Sequence, residues 1–177
     1  KNDGDCSVKI KLLFVTVGVA MLGVAVGLIR LVGFGIDPFS CMNLGLGELL
    51  HLGFGTWQLI ANAILLLVML RCFRKLIGIG TVVNMVCTGY IADFVAWLLR
   101  NWQLGVAARV MVFVLAFFIL CVGAALYMTP EMGVAPYDAL AIVLSRGKKI
   151  SFRATRIITD LCCVAIGGLA AYLAGFG

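Results

Sequence analysis

The chain has 177 residues, of which 63% are hydrophobic and only 12% are charged. Soluble domains contain about 45–50% apolar and about 25% charged residues, so this composition excludes an ordinary soluble fold. The net charge of +6 does not indicate a nucleic-acid partner, because the basic residues lie in short segments between apolar runs, where they report the orientation of a membrane protein. The partner that the composition predicts is a lipid bilayer.

Five apolar segments are long enough to cross a bilayer, which takes about 20 helical residues per crossing. The predicted spans cover residues 11–32, 54–71, 79–99, 109–128 and 152–172. The first could instead be a signal peptide, but its length and the lack of a small-residue cleavage site after it favour a membrane helix. The sequence therefore predicts an all-α polytopic membrane protein.

Two segments, residues 38–51 and 136–146, are too short and too polar to span, and each begins at a proline. Proline is favoured at the first position of a helix because its missing N–H has no partner there in any case. We predict that both are re-entrant half-helices whose positively polarised N-termini point at mid-depth. The alternative is a pair of interfacial helices that lie flat on the membrane.

The two halves of the chain align without a gap at an offset of 98 residues, a spacing that pairs Gly35 with Gly133, Pro38 with Pro136 and Asn62 with Asp160. Equivalent loops carry opposite Lys/Arg bias, which predicts an inverted internal repeat. The predicted organisation is a cytoplasmic tail over residues 1–10, a first repeat over 11–101 and a second over 102–177. The second repeat has no counterpart of the span at 79–99, so we expect either a shortened chain or an asymmetric protein.

Several motifs resemble the YczE/YyaS/YitT family of bacterial membrane proteins. They are GIDPFS at 35–40, FGT at 54–56, IGIGTVVN at 77–84, GVAPYDAL at 133–140, FR at 152–153 and RIITDL at 156–161. The resemblance covers the chain after its first ten residues. It implies a multi-pass protein of the bacterial inner membrane with repeated halves, and it supplies no substrate.

Polar and ionisable side chains inside membrane segments are expensive, so they are candidates for function. The candidate solute-binding residues are Arg30, Asp37, Ser40, Asn43, Asn62, Tyr137, Asp138, Arg156 and Asp160. Structural alternatives exist for several of them. Arg30 could reach the headgroups, Asp37 and Ser40 could cap a helix, and Arg156 and Asp160 could neutralise each other across one helical turn.

Nothing in the sequence indicates an enzyme, a cofactor or a metal site. The single histidine, His51, belongs to no catalytic or zinc-binding motif, and the cysteines show no C-x-x-C spacing. We predict a transporter or channel for a small polar or anionic solute or ion, bound between inverted repeats near the midplane. The N-terminus is predicted to be cytoplasmic, and association of copies stays open. The alternative function is a membrane chaperone or scaffold of a partner complex.

Overall fold

A computed structural model describes residues 2–72, 77–133, 135–146 and 151–175. These residues form α-helices and no strand. The helices are α1 (Asn2–Val32), α2 (Pro38–Leu49), α3 (Phe54–Cys72), α4 (Ile79–Leu99), α5 (Val106–Met128), α6 (Pro136–Arg146) and α7 (Phe152–Leu173). By length and composition, α1, α3, α4, α5 and α7 can each cross a membrane. The prediction of an all-α polytopic membrane protein is confirmed. The first helix already begins at Asn2, so most of the predicted tail is helical, and its apolar span starts at Val8.

Both short helices begin at the predicted prolines. Asp37 precedes Pro38 with an extended backbone, and its carboxylate accepts a hydrogen bond from the N–H of Ser40 at 3.0 Å, so it caps α2. The helix ends at Leu49, two residues before the predicted end, and His51 then adopts a left-handed φ of 55°. Pro136 is fully buried at the start of α6.

The long helix α1 packs closely against both α4 and α5 through glycine. A Cβ built on Gly18 would lie 2.6 Å from the backbone nitrogen of Tyr127. Gly18 lies near the middle of α1 and Tyr127 at the end of α5, while Phe34, just after α1, meets Phe113 in the first half of α5. The helices α1 and α5, which the offset of 98 makes equivalent, therefore run antiparallel.

Helix α4 runs parallel to α1. Gly23 meets Ile91 and Gly27 meets Val95, so successive turns of the two helices pair in the same order. Parallel packing requires one crossing between them. That crossing is α3, whose start contacts the second half of α4 at Gly89. The short helix α2 therefore does not cross the bundle.

Each short helix packs against a long helix of the other half: α2 against α7, and α6 against α3. Phe39 and Tyr137, the second residues of the two short helices, share one buried cluster with Ala61 and Cys163, which lie near the middle of α3 and α7. Both short helices therefore begin at mid-height of the bundle. This is the placement predicted for half-helices, and not that of helices lying flat at either end.

The start of α4 is fixed to the loop between α5 and α6. The N–H of Gly80 donates to the carbonyl of Met132 at 2.9 Å, and a Cβ on Gly78 would lie 2.0 Å from that same oxygen. Gly133 has a φ of +116°, and a Cβ there would lie 2.5 Å from Oγ1 of Thr81. The Gly-x-Gly-Thr sequence thus allows two backbones to touch. The equivalent loop of the first half is open, because a Cβ on Gly35 would meet nothing within 4 Å.

Candidate functional site

The two half-helices meet at a stacked aromatic pair. The rings of Phe39 and Tyr137 lie 4.5 Å apart between centroids with 16° between their planes, and both side chains are buried. These two residues are equivalent at the offset of 98. Because each is the second residue of its half-helix, the pair marks the place where the two helix N-termini approach each other at mid-height.

A network of polar side chains adjoins this pair in the second half; we call Tyr137, Asp138, Arg156 and Asp160 the mid-depth network. The hydroxyl of Tyr137 donates to Oδ1 of Asp160 at 2.5 Å, and Nη1 of Arg156 donates to Oδ1 of Asp138 at 2.6 Å. The guanidinium lies 4.5 Å from the centre of the Tyr137 ring, a cation–π contact. Four predicted site residues are thus brought together.

The network has one cation for two carboxylates. Nε of Arg156 lies 3.5 Å from Oδ1 of Asp160, a longer separation than its 2.6 Å bond to Asp138. Arg156 is therefore not simply neutralised by the residue one turn later. The side chains of Arg156, Asp138 and Asp160 are each about one-third exposed, at 35%, 32% and 29%. The network can accept hydrogen bonds from a solute, and its excess of carboxylates disfavours an anion.

Apart from Asp37, the predicted site residues of α2 and α3 are neutral. Asp37 and Ser40 form the cap of α2, as the structural alternative for them predicted, so one amide at that helix start already has a carboxylate partner. Asn43 is 0% exposed, and its amide nitrogen and oxygen have no hydrogen-bond partner within the described part of the chain. Asn62 is buried on α3, directly after the Ala61 that packs against the aromatic pair.

Arg30 lies apart from this network, at the end of α1. Its Nη1 donates to Oδ1 of Asp93 at 2.7 Å, and its guanidinium lies 4.5 Å from the centre of the Phe54 ring. The other carboxylate oxygen of Asp93 accepts from the N–H of Gly55 at 2.6 Å. The structure therefore gives Arg30 a partner on α4 and one on α3 rather than a place beside Tyr137.

Apart from Asn62, sequence reasoning missed the buried polar side chains of α3 and α4. Gln58, Asn84 and Thr88 are buried and were not among the candidates. The sequence did contain a signal for those on α4: Thr81, Asn84 and Thr88 are three and four residues apart, which places them on one face of the helix. Within the described ranges, no three His, Cys, Asp or Glu side chains are grouped so that they could hold a metal ion.

Comparison with known proteins shows relatives of the same kind. Residues 9–177 match the model of a family described as a family of unknown function, DUF6198. The chain is 21% identical over 136 residues to "Uncharacterized protein YyaS" of Bacillus subtilis, which covers 76% of this chain and 68% of the relative. It is 22% identical over 158 residues to an uncharacterized protein of Haemophilus influenzae, which covers 89% of this chain and 72% of the relative.

No solved structure matches the chain. The similarity to YyaS confirms the resemblance to the YczE/YyaS/YitT proteins that the motifs indicate. The family match extends over all seven helices from Lys9 onward. The chain therefore belongs to the family of unknown function DUF6198.

Proposed function

We propose that this protein is a membrane transporter or channel for a small polar solute, which binds between the two halves near the midplane. The observation that carries the proposal is the meeting of two half-helix N-termini at the Phe39–Tyr137 pair, next to the partly exposed mid-depth network. Discontinuous helices that end at mid-depth are the usual way in which transporters bind solutes inside a bilayer. Of the polar and anionic solutes expected from the sequence, the surplus carboxylate favours the polar ones.

The helix directions support inverted repeats. The equivalent helices α1 and α5 run antiparallel, and each half-helix packs against the long helix of the other half. Two halves with opposite orientation around one central site can open the site alternately to either side. A solute at the aromatic pair would then lie close to the axis that relates the two halves.

We also propose a bacterial plasma membrane location with the N-terminus in the cytoplasm. The helix directions put the start of α1, the end of α3 and the start of α7 at one end of the bundle, where Lys9, Lys11, Arg71 and Arg153 lie. An excess of Lys and Arg marks the cytoplasmic side. The basic residues at 74–75 and 148–149, which also entered the sequence prediction, lie outside the described residues.

Cysteine labelling tests this orientation. Gly53 and Ser151 are equivalent at the offset of 98 and precede α3 and α7. In a variant with the native cysteines replaced, Gly53→Cys should react with an impermeant maleimide only from outside the cell and Ser151→Cys only from inside. Labelling of both from the same side contradicts the inversion.

Transport is tested with purified protein in liposomes and a panel of labelled small solutes of each charge type. Asp160→Asn removes the acceptor charge that holds Tyr137 and should slow solute flux by about tenfold, the effect of roughly 1.4 kcal/mol. The matched control is Glu48→Gln, because Glu48 is an exposed carboxylate near the end of α2. Its flux should equal that of the unaltered protein.

The outcomes separate transport from its rival. Flux that exceeds the leak of empty liposomes and falls in Asp160→Asn but not in Glu48→Gln supports the proposal. Absence of flux for every solute in the folded, unaltered protein rejects it and favours a membrane chaperone or scaffold. If Asp160→Asn transports the solute as fast as Glu48→Gln, the mid-depth network is not part of the solute site.

A further inference from the structure

A row of uncharged polar side chains lines the inside of the first half. It consists of Asn43 on α2, Gln58 and Asn62 on α3, and Asn84 and Thr88 on α4, and we call these five residues the polar seam. All five are buried. In membrane proteins, polar side chains within helices usually face other helices or a polar cavity and mark a functional site. The mid-depth network contains none of them.

The helices α3 and α4 pack in close contact beside the seam. A Cβ on Gly55 would lie 2.9 Å from the backbone carbon of Gly89, and a Cβ on Gly89 would lie 3.0 Å from Oε1 of Gln58. Gln58 therefore lies beside Gly89 and its neighbour Thr88. The helices α3 and α4 are antiparallel. Asn62, one turn after Gln58 on α3, is therefore at the level of Asn84, one turn before Thr88 on α4.

The third helix adds Asn43 at the same level. Phe39, one turn before it on α2, packs in the cluster of Ala61, and a Cβ on Gly47, one turn after it, would lie 3.7 Å from Cβ of Trp57. Residues four apart share a helix face. Asn43 therefore faces α3 between Trp57 and Ala61, which is the level of Gln58.

Much of the hydrogen-bonding capacity of the seam is unused. Both amide atoms of Asn43, Oε1 of Gln58 and Oγ1 of Thr88 are buried and have no partner among the residues that the structure describes. A buried polar group without a partner destabilises a fold, whereas leucine or valine in its place does not. Three such side chains on three adjacent helices are therefore best explained by a ligand that completes their hydrogen bonds.

We propose that the polar seam binds a small uncharged solute that carries both hydrogen-bond donors and acceptors, such as an amide or a polyol. The seam offers an amide donor together with carbonyl and hydroxyl acceptors, and none of its five side chains is charged. The adjacent network, with one Arg156 cation for two carboxylates, disfavours an anion beside the seam. This inference rests on the proposed transport function and narrows its substrate to uncharged molecules.

The test uses two pairs of probes that match in shape and differ in charge: urea with guanidinium, and acetamide with acetate. Uptake of each is followed in liposomes that contain the protein and in empty ones. Urea and acetamide should enter faster than in empty liposomes, and guanidinium and acetate should not. Entry of the charged member of a pair without the neutral one overturns the seam proposal while transport stands.

Variants locate the pathway. Asn43→Leu and Thr88→Val should slow urea entry by about threefold to tenfold, the range expected for loss of one hydrogen bond, and should melt at the same or a higher temperature than the unaltered protein. The matched control is Thr16→Val, because the Thr16 hydroxyl is exposed and donates to the carbonyl of Leu12 in its own helix. Thr16→Val should leave urea entry unchanged.

Thr88→Val keeps the side-chain shape, so it tests the seam even where Asn43→Leu does not fold. Urea entry unchanged in folded Thr88→Val and Gln58→Met overturns the inference but not the transport function. Urea entry that falls equally in Thr16→Val also overturns it, because the effect would then not belong to the seam. If neither urea nor acetamide enters through the unaltered protein, this inference is overturned, and the transport function fails as well only if the wider solute panel also shows no flux.

Discussion

Two arginines inside the bundle each form an ion pair, and the two pairs differ in how completely they are satisfied. Arg30 has one carboxylate partner, Asp93, and the second oxygen of that carboxylate accepts from the N–H of Gly55. Arg156 is shared between Asp138 and Asp160. The first pair joins α1, α3 and α4 at one end of the bundle, while the second lies beside a half-helix at its middle.

The difference suggests different roles. A pair with equal charges and every oxygen bonded gains nothing from a solute, so we expect Arg30 and Asp93 to stabilise the fold. The network around Arg156 has a surplus carboxylate and so keeps free capacity for a solute, whereas exposure does not separate the two regions, because Asp93 is 31% exposed and Asp138 32%. Charge alone, which drew attention to Arg30 and Arg156 equally, therefore does not identify the site. The number of bonded partners separates them.

The largest effect should follow removal of Asp93. Asp93→Ala leaves the Arg30 guanidinium without a carboxylate and the Gly55 N–H without an acceptor, so the free energy of unfolding in mixed micelles should fall by about 3 kcal/mol. Arg30→Met combined with Asp93→Leu should recover most of that loss, because it removes both charges. If Asp93→Ala were as stable as the unaltered protein, the Arg30–Asp93 pair would not hold the helices together.

A smaller effect should come from the contact between α2 and α7, on which the position of Phe39 depends. A Cβ on Gly167 would lie 2.7 Å from the carbonyl of Cys41, so Gly167→Ala should lower the free energy of unfolding by about 2 kcal/mol. Gly168 is its matched control, because a Cβ there would meet nothing within 4 Å. Equal stability of Gly167→Ala and Gly168→Ala would contradict the close packing of the half-helix on α7.

The smallest change in stability is expected from Tyr137→Phe. This substitution keeps the stack on Phe39 and the ring beneath Arg156 but removes the hydroxyl that donates to Asp160. We expect a loss of about 1 kcal/mol in the free energy of unfolding, the typical contribution of one hydrogen bond, together with slower solute flux in liposomes. A loss of stability as large as that of Asp93→Ala would make the two regions alike and remove the distinction between them.

The elements themselves were predictable from local sequence. Span length and apolar composition fix the long helices, and proline at the first position fixes where α2 and α6 begin, at Pro38 and Pro136. These signals lie within about 20 residues of chain, the length of one span. They need no knowledge of which helix packs against which.

The partners were not predictable in the same way. Arg30 and Asp93 are separated by 63 residues, so their contact depends on the parallel packing of α1 with α4. Arg156 and Asp160 share a helix face and could be paired from sequence, but the closer partner, Asp138, comes from another helix. The α4 part of the polar seam could be predicted from the periodic spacing of its polar residues. That Asn43 and Gln58 face it depends on how three helices assemble, which the local sequence does not reveal.

The contact of Gly80 with Met132 also has a consequence for how the two half-helices are held. The loop that leads into α6 is anchored to α4 by a backbone hydrogen bond, whereas the equivalent loop before α2 is exposed at residues 33–35 and contacts other helices through the side chains of Phe34 and Ile36. A displacement of α4 is therefore transmitted to the loop before α6 through a backbone bond, whereas α2 is held by its own packing on α7. The two equivalent loops are therefore held in different ways. Amide hydrogen exchange would record this as slower exchange at Gly80, whose N–H is bonded to Met132, than at Phe34 and Gly35.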